Sequence, residues 1–338
     1  MTKVLIDIFG SDHPQQLLEG CGRCTLELPE VTLVLPGQEE VLQAELKHYP
    51  HYASRIELMP TSEIITNYDD PIEAVMHKRN STLVAGMLRL RRDPEVLGML
   101  TAGSTGAALA GSVAFAGRLR GVHTPALATF LPSMHGHPVC LADCGANVDC
   151  KPERMVQFAL LAVALMQSYG VSNPRVGLLS VGVEECKGSH FIRDVYPLLK
   201  QLPINFAGMM EARDALSGDY DVIVSEGFAG NVLLKTVEGT GLFAVQRLLA
   251  QADITEEVRA AAQALAAELD FTTHGASMLL GLRKPILKSH GSANAQTVPN
   301  AVRQLLRFPM GDFSDCFASL LAQTVPASRG AERQIHSA

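Results

Sequence analysis

Val96-Leu-Gly-Met-Leu-Thr-Ala-Gly-Ser-Thr-Gly-Ala107 decides the fold class. An apolar run of strand length, Val96 to Thr101, passes without a linker into a glycine-rich turn, Ala102 to Ala107, which opens a helical pattern. Further short runs rich in Val, Ile and Leu stand at Val4–Ile8, Val31–Leu35, Ile56–Met59, Ala126–Leu131, Val139–Ala142, Val176–Leu179, Val222–Val224 and Ile286–Leu287. Longer helical patterns lie between them. A strand with one face in water alternates apolar and polar residues, so continuous apolar strands between helices predict a largely parallel sheet covered on both faces. The fold class is α/β.

Working outward, three more strands run directly into turns of the same kind: Val181–Gly188, Ser225–Asn231 and Ser289–Asn294. A helix N-terminus offers unpaired N–H groups and partial positive charge, and glycine lets an anion approach the backbone. Ligands of open parallel sheets sit beyond the carboxyl ends of strands, so these turns are expected to converge on a phosphate-type ligand.

The chain has 338 residues, 47% of them hydrophobic and 19% charged, with a formal net charge of −7. That composition excludes a disordered or collagen-like chain. No clustered basic face is present for nucleic acid: Arg89, Arg91 and Arg92 are followed at once by Asp93 and Glu95. Asp7 falls inside the only apolar stretch at the start, which argues against an export signal, and Phe158–Met166 is about half the length of a membrane span. A cytoplasmic protein is expected, with its seven cysteines reduced. Cys21-Gly-Arg-Cys24 has no second Cys-x-x-Cys to complete a zinc set, so no metal is expected.

The helix after Lys151-Pro152 is apolar nearly all round and should be central. Residues 241–270 read as a helical hairpin joined near Ala252–Thr255, with Val258, Ala261, Ala262, Leu265 and Leu269 as one apolar stripe. The stripe suits core packing or dimerisation, and the scarcity of Lys and Arg argues against a membrane-surface helix. No linker divides residues 1–327, a single domain, and a polar tail occupies 328–338.

No Gly-x-Ser-x-Gly elbow, His-Glu-x-x-His motif or nucleotide-binding Gly-x-x-x-x-Gly-Lys loop is present. Lys187, in a glycine-flanked turn beside Glu184 and Glu185, suits either an anion-binding ammonium or a surface ion pair. His13 and His290 follow strands, where a proton-transfer role and a structural one are both open. Asn147, Asp149 and Asn231 offer amides and a carboxylate at the same sheet edge, to orient a ligand or cap a helix.

Taken together, Gly145-Ala-Asn-Val-Asp-Cys-Lys-Pro152, Asn173-Pro-Arg-Val-Gly-Leu-Leu179, Lys187-Gly188, Gly227-Phe-Ala-Gly-Asn-Val-Leu-Leu-Lys235 and Lys288-Ser-His-Gly-Ser-Ala-Asn294 resemble the PlsX-type phosphate acyltransferases. The resemblance implies a three-layer α/β/α sandwich, related to isocitrate dehydrogenase and phosphotransacetylase, that forms a homodimer with a helical hairpin. It also implies transfer of a fatty acyl group from acyl carrier protein to inorganic phosphate, without a cofactor, at the start of phospholipid synthesis. Departures stand at Asp7-Ile-Phe-Gly-Ser-Asp12, at Ser104 where the family has Asn, and at Ala229 where it has Thr.

Phosphate is already a nucleophile, so the chemistry asks for placement and oxyanion stabilisation. On that resemblance Lys187, Asn231 and His290 are the expected catalytic residues. Gly103, Ser104, Thr105, Gly106, Asn147, Asp149, Gly188, Gly227, Gly230, Gly291 and Asn294 are expected to bind substrate. The hairpin and Met278–Gly281 are candidates for the acyl groove, and Arg247, Arg283 and Lys284 for the carrier protein. A phosphotransacetylase-like enzyme using acyl-coenzyme A and a non-catalytic acyl-binding regulator are the alternatives. A weak peripheral association with the membrane is a lesser one.

Overall fold

The computed structural model describes residues 2–47, 53–251, 253–269, 276–289 and 293–324. The strands are β1 (Thr2–Asp7), β2 (Val31–Gly37), β3 (Ile56–Pro60), β4 (Val96–Thr101), β5 (Ala126–Leu131), β6 (Val139–Ala142), β7 (Arg175–Ser180), β8 (Asn205–Glu211), β9 (Val222–Val224), β10 (Ser277–Leu280) and β11 (Ile286–Lys288). They form one sheet in the order β3-β2-β1-β4-β11-β10-β5-β6-β9-β7-β8. The helices are α1 (Pro14–Glu27), α2 (Glu39–Leu46), α3 (Pro71–His77), α4 (Thr82–Arg92), α5 (Thr105–Gly111), α6 (Pro152–Ser168), α7 (His190–Lys200), α8 (Gly227–Leu249), α9 (Glu256–Leu269), α10 (Thr297–Arg307) and α11 (Met310–Thr324).

Alternate residues of each strand point to opposite faces, and both faces are apolar. Val4, Ile6, Leu33, Leu35, Cys140 and Val222 join one core, with side chains from α1, α6, α7, α10 and α11. Leu5, Val34, Met99, Leu141 and Ile223 join the other, with side chains from α3, α4, α5 and α8. This is the α/β/α sandwich. As the all-round apolar pattern implies, α6 is central: Met155 and every residue from Gln157 to Met166 are buried. Gln157 is buried at no penalty, since its carboxamide accepts from His123 and Thr124 N–H and donates to the Gly121 carbonyl.

The direction of the sheet reverses at its centre. β10 is antiparallel to both β11 and β5, and β5 is antiparallel to β6, while every other pairing is parallel. The half built on β1–β4 and β11 therefore runs opposite to the half built on β6–β9. Register still brings their carboxyl ends together: Thr101 pairs with Lys288 and Lys288 with Ser277, while the next residue of β10, Met278, pairs with Ala128, which pairs with Ala142. Short central strands thus place the ends of β4, β11 and β6 within about one residue of each other along the sheet.

Met278–Gly281 is no acyl groove: Met278, Leu279 and Leu280 form β10 and are buried in the core. The hairpin is not an insertion starting near 241, because its first helix is the 23-residue α8, which begins at Gly227. β8, Asn-Phe-Ala-Gly-Met-Met-Glu, escapes a reading by apolar runs because it is an edge strand with alternating exposure.

Candidate active site

A polar cavity of about 250 Å³ opens at the central reversal. It is lined by Gly103 and Thr105 after β4, Leu127 of β5, Cys144 and Gly145 after β6, Asn231, Leu234 and Lys235 of α8, Ser277 of β10, and Lys288 and Ser289 at the end of β11. Asn67 and Ala102 complete it. Two ammonium groups and two carboxamides, those of Asn67 and Asn231, in so small a space suit a tetrahedral oxyanion.

The walls are fixed by a buried carboxylate. Asp143 accepts N–H bonds from Gly145 and Ala146 at 2.7 Å through Oδ1, and from Leu127 N–H at 3.0 Å and Asn147 Nδ2 at 2.6 Å through Oδ2. Gly145 has a φ of +137°, and a Cβ there would meet Asn231 Oδ1 at 3.3 Å. Glycine is needed both for the backbone conformation and to leave the Asn231 amide free to face the cavity.

A second cavity, about 850 Å³ and mainly apolar, lies on the other side of α8. Phe228, Ala229, Val232, Leu233, Thr236 and Val237 line it from α8, facing Leu179, Val181, Gly188, Ile192, Leu216 and Leu269. One helix therefore presents Asn231, Leu234 and Lys235 to the polar cavity and its opposite face to the apolar one.

The expected site residues divide accordingly. Gly103, Thr105 and Asn231 line the polar cavity. Ser104 instead caps α5, accepting from Ala107 N–H, and a Cβ on Gly106 would meet Pro71. Asn147 is buried, its amide spent on Asp143 and the Pro125 carbonyl, so it braces the turn and does not line the cavity. Asp149 is exposed and caps no helix, the N-cap of α6 being Lys151.

Gly227 and Gly230 are packing glycines: a Cβ would stand 2.7 Å from Asn147 backbone and 1.9 Å from the Asp143 carbonyl oxygen, respectively. The amides of this helix start do not await phosphate either. The Glu226 carboxylate caps them, accepting from Phe228 and Ala229 N–H at 2.5 and 3.0 Å. Gly188 lines the apolar cavity, and Lys187 is exposed in the same turn. The turn after β7 therefore does not converge with the others on the polar cavity. Asn294 bonds Gln296 and Thr297 at the start of α10. His290 and Gly291 lie outside the described residues, as does the 328–338 tail.

Sequence reasoning passed over Lys235, Lys288, Ser277 and Cys144 as site residues. The first two stood inside the quoted motifs; the signal was a lysine at a strand end or one helical turn past Asn231. Burial pushes the Cys144 thiol well above its ordinary value, so it is a poor nucleophile. Cys21 and Cys24 are core residues of α1, their thiols raised by burial. Among the described residues no cluster of His, Cys, Asp or Glu could hold a metal ion. Lys284 donates to the Asp93 and Val96 carbonyls, and Arg283 Nε donates to the Arg118 carbonyl while the side chain stays exposed.

The fold places the chain among phosphotransacetylase-like α/β/α proteins: it superposes on a phosphotransacetylase from Streptococcus pyogenes with a TM-score of 0.59 at 13% identity, over 94% of both chains. Residues 2–314 match the model of the fatty acid synthesis protein family. Over 330 residues the chain is 36% identical to a phosphate acyltransferase of Geobacillus thermodenitrificans, covering 95% of this chain and 99% of that protein. A phosphate acyltransferase of Clostridioides difficile is 34% identical over 319 residues, 91% of this chain and 93% of the relative. The chain belongs to the PlsX-type phosphate acyltransferase family.

Proposed function

We propose that this enzyme transfers a fatty acyl group from the thioester of acyl carrier protein to inorganic phosphate, giving acyl phosphate for phospholipid synthesis. The observation that carries this reading is α8, a single helix between a small cavity bearing two lysines and a large apolar one. Phosphate binds beside Lys235, Lys288 and Asn231, where the two ammonium groups offset its charge. The Asn231 amide orients the thioester carbonyl and stabilises the oxyanion that develops on attack. Placement supplies much of the acceleration, since phosphate needs no activation by a metal.

Lys187, exposed in the turn that supplies Gly188 to the apolar cavity, serves the anionic carrier arm outside the phosphate cavity. Leu242 and Phe243 of α8 are 56% and 63% exposed, and Val258 and Leu265 of α9 are also exposed. That face is offered to a second copy of the chain, making a homodimer, with weak contact at the inner face of the membrane as the competing use. No described helix is long and apolar enough to cross a membrane. The enzyme works in the cytoplasm on this reading.

The test is incubation of the purified protein with a long-chain acyl-carrier-protein thioester and phosphate, following acyl phosphate and free thiol. Phosphate-dependent thiol release establishes the reaction. Preference for acyl-coenzyme A replaces the carrier-protein assignment, and acyl binding without release supports the non-catalytic alternative.

A further inference from the structure

Lys288 is the last residue of β11, is only 9% exposed, and lines the polar cavity. Its ammonium donates one bond to the Ser289 carbonyl, which leaves two protons for the cavity. The charges around it come from three directions. Asp7, buried at the end of β1, attracts the ammonium and accepts from Thr101 Oγ1 at 2.8 Å. Asp12 adds a weaker attraction. Lys235 of α8 repels it across the same cavity and is itself paired with Glu238 at 2.7 Å. The Cys144 thiol is the remaining titratable group that lines this cavity among the described residues.

We infer that Lys288 is the acid that protonates the sulfur of the departing thiol during acyl transfer to phosphate. The inference rests on the function proposed above and adds a role that phosphate binding does not require. Dianionic hydrogen phosphate attacks the thioester carbon through one oxygen. As the tetrahedral intermediate collapses, the carbon–sulfur bond breaks, its electron pair goes to sulfur, and sulfur takes a proton from the Lys288 ammonium. The products are acyl phosphate that still carries one proton, a neutral thiol and a neutral amine. Acylation makes the remaining phosphate proton more acidic, so its return to the Lys288 amine resets the site without an outside co-reactant.

Burial acts most strongly on Lys288 and lowers its ammonium to about 8, with Lys235 pushing the same way and Asp7 opposing. An alkyl thiol such as cysteine titrates near 8.5, so donor and leaving group are closely matched. At neutral pH the donor is mostly charged, as an acid must be.

The experiment compares the same acyl group on an alkyl thiol, pantetheine, and on an aryl thiol, whose thiolate leaves without protonation. In wild type the ratio of alkyl to aryl turnover falls as pH rises through about 8, which needs no variant to observe. In Lys288→Met, alkyl turnover drops on the order of 10²- to 10⁴-fold further than aryl turnover, which loses only what the charge contributes to phosphate binding. Lys288→Arg keeps the charge but not the proton supply, and shows the same selective loss.

Any effect on phosphate binding or folding lowers both thioesters equally and cancels in the ratio. Equal losses on the two thioesters, or a wild-type ratio that is flat with pH, overturn the assignment while leaving the acyltransferase reading intact. A wild-type chain that forms no acyl phosphate from either thioester overturns that reading, and the proton donor with it.

Discussion

Gly230 stands where any Cβ would come within 1.9 Å of the carbonyl oxygen of Asp143. The contact fixes how closely α8 approaches the turn after β6, and so where Asn231, the next residue, meets the polar cavity. Gly230→Ala must push one backbone segment off the other. It is expected to cost about 3 kcal/mol or more in urea unfolding, and to lower turnover beyond what that loss explains.

Removing the carboxylate that closes the start of α8 has a milder outcome. Glu226→Ala leaves Phe228 and Ala229 N–H uncapped and should lower stability by about 1 kcal/mol. Because Glu226 lines the apolar cavity and not the polar one, the KM for phosphate should stay within about twofold in steady-state assays.

Charge at position 231 discriminates the phosphate cavity from a merely structural pocket. Asn231→Asp keeps the size and shape of the side chain but sets an anion beside the proposed phosphate site. The KM for phosphate should rise at least about tenfold, a change of roughly 1.4 kcal/mol. An unchanged KM would remove phosphate from this cavity.

Lys187 is tested by where its loss is felt. Because the side chain is exposed in a turn that lines the apolar cavity, Lys187→Ala should raise the KM for the carrier thioester and leave that for phosphate within about twofold. A rise in phosphate KM instead would show that this lysine reaches the polar cavity during turnover.

The ion pair of Asp69 and Lys78 gives a pH prediction. The Lys78 ammonium at 2.8 Å, helped by Thr66 N–H, holds the Asp69 carboxyl down at about 2, below its ordinary 3.9. A depressed carboxyl stabilises the fold above its unfolded value and loses that contribution as pH falls through the folded one. Asp69→Asn should therefore lower stability at neutral pH by less than about 1 kcal/mol, the pair being partly exposed. The gap to wild type should close between about pH 4 and pH 2 in urea titrations.

Strand chemistry was legible in the sequence wherever both faces of a strand are covered, as in Val139–Ala142 and Val222–Val224, because burial on both sides demands unbroken apolar residues. β8 was not, since edge strands alternate. Of the candidate site, Gly103, Thr105 and Asn231 could be read from their turns, whereas the burial of Lys288 in the cavity could not. A lysine at a strand end is ordinarily solvated, and nothing local says that β11 pairs with β4, far earlier in the chain, or that its last residue is buried.

By itself, then, the sequence determined the α/β class, the central helix α6, the glycine turns and the family, because these depend on local periodicity and on ordered motifs. Only the tertiary structure decided which turns meet. The sheet reverses at β10, and whether the carboxyl ends of β4, β11 and β6 share one cavity depends on register between strands distant in sequence. The same holds for Glu226 and Gly230, which look like parts of an anion-binding turn and prove to close one helix end and seat it against Asp143. Local sequence specifies a helix start, and long-range packing specifies what that start faces.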